Sequence, residues 1–311
     1  MPSGLTHHTV ETPDGAQIHA VSAGEPSGRP ILFVHGFSAS WRAWANQLTD
    51  PLLRDRFRLV AIDLRGHGDS EGAIGAVDRT GRALGALPDE RILDETFEGG
   101  SRLWANDVDG AIAALELAEP VLVGWSYGGV VVQGYIHAHG GLDRGERAVL
   151  LSTTPVLILP GMPESEQGVL PRDDGLSAFM RVTPDNDDRT VVQGVTDFVE
   201  LCFADETGRP GLSSDELLGA VGFSLFTPSE VRLAMLRRVF DYRPVLAALP
   251  DEARARITAV TPQGDRLFQA PVQNRLWSEA GVANVEVPLE GHGYMWRNPA
   301  EFNARLAEFA G

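Results

Sequence analysis

The chain alternates short runs of consecutive apolar residues with longer segments in which apolar residues recur at helical spacing. A continuous apolar run bounded by turn residues is typical of a strand that is covered on both faces of a sheet. Strand and helix patterns that alternate along a chain favour a parallel sheet with right-handed crossovers. We therefore predict an α/β fold with a mostly parallel, doubly wound sheet, whose later strands are expected at residues 31–36, 57–66, 121–125, 147–152, 256–265 and 283–291.

Two segments depart from this alternation. Residues 1–23 contain two extended runs around a Pro-Asp-Gly turn signal at 13–15, and they predict a β-hairpin. Residues 155–250 contain several prolines and helix-like patches, and they predict a helical cap inserted after the sixth strand. We expect one domain, with 1–154 and 251–311 forming the core and the cap lying over the sheet.

Two helices of the predicted core follow from the spacing of their apolar residues. Residues 40–53 are predicted as one helix with Ser40 at the N-cap, where a hydroxyl accepts a hydrogen bond from the first turn. Residues 101–118 place several apolar side chains, including Val108 and Ile112, on one face. A helix with one apolar face is expected to pack against the sheet.

The charge of the chain restricts its partners. The formal net charge is −17, and all 26 basic residues are arginines. A strongly negative surface repels phosphate groups, so we expect neither nucleic acid nor an anionic membrane as a partner. Because the chain has no lysine, Schiff-base chemistry and a lysine-containing phosphate loop are excluded. A small molecule remains as the expected partner, and the oligomeric state stays open.

Cysteine usage and the hydropathy pattern predict where the protein works. Cys202 is the only cysteine, which excludes an intramolecular disulfide and a multi-cysteine metal site. The first residues lack a basic segment followed by an apolar one, and no uninterrupted apolar run approaches 18 residues. We therefore expect a cytoplasmic protein without a membrane span.

Residues 121–129, VLVGWSYGG, begin as a buried strand and then break into a glycine-flanked serine. The segment from Gly124 to Gly128 fits a nucleophile elbow, a sharp strand-to-helix turn that lifts a serine hydroxyl clear of the sheet. It follows an apolar strand and opens a predicted helix, which is the context that the motif requires. Ser126 is therefore the candidate nucleophile, and the alternative is a glycine turn that contains an incidental serine.

A serine hydroxyl needs a base to remove its proton and a carboxylate to orient that base. His292 is the only histidine near the C-terminus that follows a predicted strand, and it lies between two glycines. Asp265 comes just after another predicted strand, 27 residues before His292. The order serine, acid, histidine is the one that elbow-containing hydrolases use. We predict Ser126, Asp265 and His292 as a catalytic triad.

The residues around the nucleophile supply further candidates. An oxyanion formed at the attacked carbonyl needs backbone N–H donors, and we predict those of Tyr127, which follows the nucleophile, and Phe37, which follows the first parallel strand. Trp125 also flanks the serine and is a candidate for substrate binding. Packing beneath the cap would explain Trp125 equally well.

Five ordered motifs resemble those of the α/β-hydrolase family, and most closely its capped esterases and cofactor-free haloperoxidase-like members. They are HisGlyPhe at 35–37, AspLeuArgGlyHisGlyAspSer at 63–70, GlyTrpSerTyrGlyGly at 124–129, GlyAspArg at 264–266 and GlyHisGly at 291–293. The resemblance implies an α/β-hydrolase fold, a serine nucleophile, and neither a metal nor a cofactor. It covers the chain from about Ala16 to the C-terminus, apart from the cap and residues 72–100.

Residues 72–100 are longer than the usual connection in this family, and we expect them either to reshape the mouth of the pocket or to be disordered. The hypothesis that follows is a serine hydrolase acting on an ester, thioester or lactone of a mostly apolar small molecule. Two alternatives stay open. The same site could serve a cofactor-free lyase, cyclase, carbon-carbon hydrolase or perhydrolase, or it could belong to a receptor with negligible turnover.

Overall fold

The computed structural model describes residues 4–71, 100–139, 141–157, 173–205, 207–209, 211–236 and 240–311. The long connection singled out in the sequence at 72–100 lies outside them except for its last residue, as does the start of the predicted cap at 158–172.

The described strands form one eight-stranded sheet and one small two-stranded sheet. The strands are β1 Thr6–Glu11, β2 Gln17–Gly24, β3 Arg29–Val34, β4 Phe57–Ile62, β5 Val121–Trp125, β6 Arg147–Leu151, β7 Val156–Leu157, β8 Phe240–Asp241, β9 Ile257–Gly264 and β10 Ala283–Glu290. The large sheet has the order β1-β2-β4-β3-β5-β6-β9-β10, in which β1 and β2 form the predicted hairpin, β2 pairs with β4 antiparallel, and the remaining pairs are parallel. This topology confirms the predicted mostly parallel, doubly wound sheet.

Helices connect the parallel strands and also fill the segment between the two short strands β7 and β8. They are α1 Ala45–Thr49, α2 Pro51–Arg54, α3 Gly100–Ala114, α4 Tyr127–Ala138, α5 Asp173–Arg181, α6 Asp188–Phe203, α7 Ser214–Leu225, α8 Ser229–Leu236, α9 Arg243–Ala247, α10 Asp251–Arg254, α11 Ala270–Glu279, α12 Tyr294–Arg297 and α13 Pro299–Ala310. None of the described helices is both long and apolar enough to cross a membrane.

The prediction of a single helix over 40–53 is wrong. The segment holds a 3₁₀ turn at Trp41–Trp44 followed by α1 and α2. The break falls at Asp50, which has an extended backbone (φ −72°, ψ 124°) because a proline disfavours helical geometry in the residue before it. Asp50 then caps α2 through a 3.2 Å hydrogen bond from the Leu53 N–H. Ser40 does cap the segment, since its hydroxyl accepts from the Arg42 N–H.

The core lies on both faces of the large sheet. Strands β3 and β5 are buried along almost their whole length, as their continuous apolar sequences predict. The apolar face predicted for α3 is also buried, with Val108 fully covered and Ile112 3% exposed. Both strands end at the same edge of the sheet, and this edge carries the candidate site.

Helices α5 to α8 follow the sixth strand in the segment predicted as a cap, and α5 and α6 contact the loop after β3. Phe179 of α5 and Phe198 of α6 pack edge-on against Phe37, with ring centroids 5.2 and 5.4 Å away. Cap helices therefore contact the loop that follows β3. The division into a core of 1–154 and 251–311 and a cap of 155–250 stays a prediction.

Candidate active site

Ser126 lies at the turn between β5 and α4 in a strained backbone conformation. Its φ of 54° and ψ of −120° fall in a region that residues with a Cβ rarely adopt. Such a conformation costs about 1–3 kcal/mol and persists only where the surroundings enforce it. Here the Ser126 N–H donates to the Leu151 carbonyl at 2.8 Å, and the Ser126 carbonyl accepts from the Gly129 N–H at 2.9 Å. This backbone geometry is the one expected of the predicted elbow.

The glycines of the elbow occupy positions where a side chain would collide with backbone. A Cβ on Gly124 would lie 2.6 Å from the carbonyl oxygen of Gly128, and one on Gly128 would lie 2.2 Å from that of Val34. Helix α4 can therefore begin directly against β3 and β5 only because these residues are glycines. The close approach holds Ser126 beside the loop that follows β3.

Asp265 follows β9 and points both carboxylate oxygens at hydrogen-bond donors. Its Oδ1 accepts from the backbone N–H groups of Leu267 at 2.8 Å and Phe268 at 3.1 Å. Its Oδ2 lies 2.8 Å from Nδ1 of His292. The two backbone donors fix the orientation of the carboxylate, so that Oδ2 faces the imidazole.

His292 is fully buried in the loop between β10 and α12, and three neighbours hold it there. The indole N–H of Trp125 donates to the His292 carbonyl at 2.9 Å, and the next residue, Gly293, donates its N–H to the Cys202 carbonyl at 2.9 Å. The ring of Phe268 packs edge-on against the imidazole at 5.5 Å. Since Nδ1 faces Asp265, Nε2 is the free ring nitrogen, and no described residue hydrogen-bonds to it.

Two other buried histidines near the elbow are poorly suited to act as the base. His35 uses both ring nitrogens, since Nδ1 donates to the Gly36 carbonyl at 2.8 Å and Nε2 accepts from the Leu64 N–H at 3.1 Å. Burial lowers its pKa, and it lowers that of His67 far more. Among the described residues neither imidazole hydrogen-bonds to a carboxylate, in contrast to His292.

The loop after β3 lies directly against Ser126. A Cβ on Gly36 would lie 3.1 Å from the Cβ of Ser126, so the residue before Phe37 approaches the serine closely. Tyr127 is the first residue of α4, and its ring packs edge-on against Trp104 at 5.7 Å. Tyr127 thus follows Ser126 directly and Phe37 follows Gly36, and the role of their N–H groups as oxyanion donors stays a prediction.

Trp125 is 5% exposed, and its indole N–H holds the histidine loop. This contact supports the alternative in which Trp125 has a packing role rather than a role in substrate binding.

Cys202 lies across the same loop, and burial raises the pKa of its thiol well above the usual range, which keeps the thiol uncharged. The sequence patterns missed Phe268 as a neighbour of the imidazole, although its place three residues after Asp265 could have suggested it.

One group of possible metal ligands exists among the described residues. His19, Asp63 and Asp69 bring ligand-type atoms within 4.8 Å of one another. Hydrogen bonds account for this cluster, because Oδ2 of Asp63 pairs with His19 Nδ1 at 3.0 Å and accepts from the Asp69 N–H at 2.9 Å, while Oδ1 accepts from the Trp41 N–H. We assign the cluster a structural role in joining β2 to the end of β4.

Comparison with curated proteins yields full-length and partial relatives. The AB hydrolase superfamily protein YisY of Bacillus subtilis is 25% identical over 319 aligned residues, which cover 97% of this chain and 98% of that protein. The soluble epoxide hydrolase of Corynebacterium sp. is 30% identical over 161 residues, or 52% of this chain. This second match spans 46% of that enzyme, so the chain matches only about half of its length.

A putative aryl esterase from Burkholderia cenocepacia has a similar structure, with a TM-score of 0.74 and 24% identity over 98% of this chain and 97% of that one. At this identity the likeness concerns the fold. The family model described as "Alpha/beta hydrolase family" matches residues 31–305, which is most of the chain. The predictions of the fold and of a hydrolase are thereby confirmed at the level of the family. The chain belongs to the alpha/beta hydrolase family.

Proposed function

We propose that this hydrolase cleaves an ester, thioester or lactone of a mostly apolar small molecule, with Ser126 as nucleophile, His292 as base and Asp265 as the residue that orients the base. The observation that carries the proposal is the 2.8 Å contact between buried His292 Nδ1 and Asp265 Oδ2, which leaves Nε2 free. The strained elbow at Ser126 supports it, because such strain is typical of functional sites.

The chemistry begins with transfer of the Ser126 proton to Nε2 of His292 while the serine oxygen bonds to the substrate carbonyl carbon. The carbonyl oxygen gains a negative charge, and the backbone N–H groups of Phe37 and Tyr127 donate to it. Collapse of this intermediate expels the alcohol or thiol, which takes the proton from His292. Water, deprotonated by the same imidazole, then attacks the acyl-serine and releases the acid.

A serine at the elbow favours carbonyl substrates over epoxides, although several relatives are epoxide hydrolases. Attack by a serine hydroxyl on an epoxide carbon would leave an ether between enzyme and substrate. Water does not readily cleave an ether, so the enzyme would not be released. Attack on an ester or lactone instead leaves an acyl-serine, which water can hydrolyse. The residue type at position 126 therefore supports acyl transfer.

The proposal is tested by turnover of a panel of aryl and alkyl esters and lactones by the wild type and by Ser126→Ala. We expect the Ser126→Ala variant to lose several orders of magnitude in kcat, because alanine has no hydroxyl to attack the carbonyl carbon. Ser214→Ala, which alters an exposed serine of α7, is the matched control and should retain full activity. Retention of most of the activity by Ser126→Ala would refute an acyl-enzyme on this residue.

A further inference from the structure

Arg232 in helix α8, within the predicted cap, is a buried cation whose hydrogen-bond acceptors among the described residues are all neutral oxygens. It is 2% exposed. Its Nε donates to Oγ of Ser38 at 2.8 Å and its Nη2 to the Ser224 carbonyl at 3.0 Å, and Nη1 reaches the hydroxyl of Ser229 at 3.2 Å. No carboxylate among the described residues lies within ion-pair distance of it, although the charge of Glu230 attracts it from farther away. Burying a charge without a directly paired counter-ion is costly, so the role of these hydrogen bonds needs an explanation.

Ser38, the residue that Arg232 contacts, has its own strained backbone. Its φ is 52°, in the left-handed region that residues with a Cβ avoid. Its hydroxyl accepts from Arg232 and donates to the Ser224 carbonyl at 3.0 Å. Since Arg232 donates to the same carbonyl, the three groups form a closed hydrogen-bonded ring between the loop after β3 and the cap. Strain of this kind persists only where neighbouring groups enforce the conformation.

The ring adjoins the backbone that the proposed reaction uses, because Ser38 directly follows Phe37. We propose that Arg232 is a positioning residue that holds Ser38, and through it the Phe37 N–H, in the geometry needed to bind the oxyanion. This inference rests on the proposed function. A planar guanidinium can donate to Ser38 and Ser224 at once, which explains why an arginine serves here.

The test measures the rate at which a fluorophosphonate modifies Ser126, with kcat and KM for p-nitrophenyl acetate as a second readout. Both reactions place negative charge on an oxygen in front of Phe37. We expect Arg232→Met and Ser38→Ala each to lower the rate of modification and kcat by about 10-fold to 100-fold, with KM changed less than about twofold. This is a part of the effect expected from losing one oxyanion donor completely. Arg189→Met removes an exposed arginine of the same cap and should change neither rate.

The double variant Ser38→Ala, Arg232→Met separates positioning from a general loss of stability. If Arg232 acts through Ser38, the double variant should be no slower than the slower single variant, whereas independent effects would multiply. Multiplying effects, or normal rates in a folded Ser38→Ala variant, would overturn the inference even if Arg232→Met failed to fold. A wild type that the reagent does not modify would instead refute the proposed function.

Discussion

At the scale of single residues, the orientation of one carboxylate determines which ring nitrogen of His292 carries the proton. Oδ1 of Asp265 accepts two backbone N–H groups, and only Oδ2 faces the imidazole. An ionised carboxylate at this position accepts a hydrogen bond from the proton on Nδ1, so the neutral imidazole has its free lone pair on Nε2. The base function proposed for His292 thus depends on Asp265 remaining an acceptor.

The variant Asp265→Asn tests this dependence. The amide oxygen would keep the two backbone donors at the Oδ1 position, so the NH₂ group would point at Nδ1 of His292 and force its proton onto Nε2. We expect kcat for an ester to fall about 10³-fold to 10⁴-fold, with the fold intact. Asp185→Asn, at an exposed cap position, serves as the control. A loss of less than about tenfold would contradict the proposed role of Asp265.

At the scale of secondary structure, the site depends on how closely α4 approaches the ends of β3 and β5. Gly128→Ala would place a Cβ 2.2 Å from the Val34 carbonyl oxygen, and neither backbone can move without displacing Ser126 or the Phe37 loop. We expect a loss of about 1–3 kcal/mol in the free energy of unfolding, together with reduced kcat. Denaturant unfolding curves measure the first effect and ester kinetics the second.

Gly219→Ala provides the matched control for that substitution. Gly219 is exposed within α7, and a Cβ there would meet nothing within 4 Å. The same change of residue type should raise the free energy of unfolding by about 0.5–1 kcal/mol, because alanine favours a helix interior over glycine. If both alanine variants had the same stability, close packing would not explain the glycine of the elbow.

The sequence predicted those elements whose determinants are local. Apolar runs and the glycines around Ser126 are contiguous in the chain, so the strands and the elbow could be recognised before the structure was known. The prediction of one helix over 40–53 was wrong because it gave the apolar spacing more weight than Pro51, which interrupts the helix. Arg232 and Ser38 are 194 residues apart in the chain, so a pattern within a short stretch of sequence could not predict their contact.

At the scale of the whole molecule, a buried arginine joins three segments that are distant in sequence. Arg65 donates from Nη1 and Nη2 to the Asp14 carboxylate at 2.6 and 2.8 Å, and from Nε to Asp107 at 2.7 Å. These contacts connect the turn of the N-terminal hairpin, the loop after β4 and helix α3. Hydrogen bonding to Arg65 lowers the pKa of Asp14 below its usual value, although partial burial opposes the shift.

Because the pKa of Asp14 is lowered in the folded state, its contribution to folding stability depends on pH in the acid range. The stabilisation is fully present above the unfolded-state pKa of about 4 and is lost as pH falls from there through the folded-state pKa. We expect Asp14→Asn to cost about 1 kcal/mol at pH 7, a value discounted for the partial exposure of Asp14. Urea unfolding at pH 7 and pH 3 should show this difference shrinking, whereas a constant difference would contradict the account.

The central claim is that Ser126 is an activated nucleophile, and intact-mass measurement after incubation with a fluorophosphonate tests it most directly. We predict a single adduct on the wild type, none on Ser126→Ala and slow formation on His292→Ala, because the imidazole that accepts the serine proton would be missing. Circular dichroism should establish that all three proteins are folded. An unmodified wild type, or an adduct that persists in Ser126→Ala, would contradict the claim.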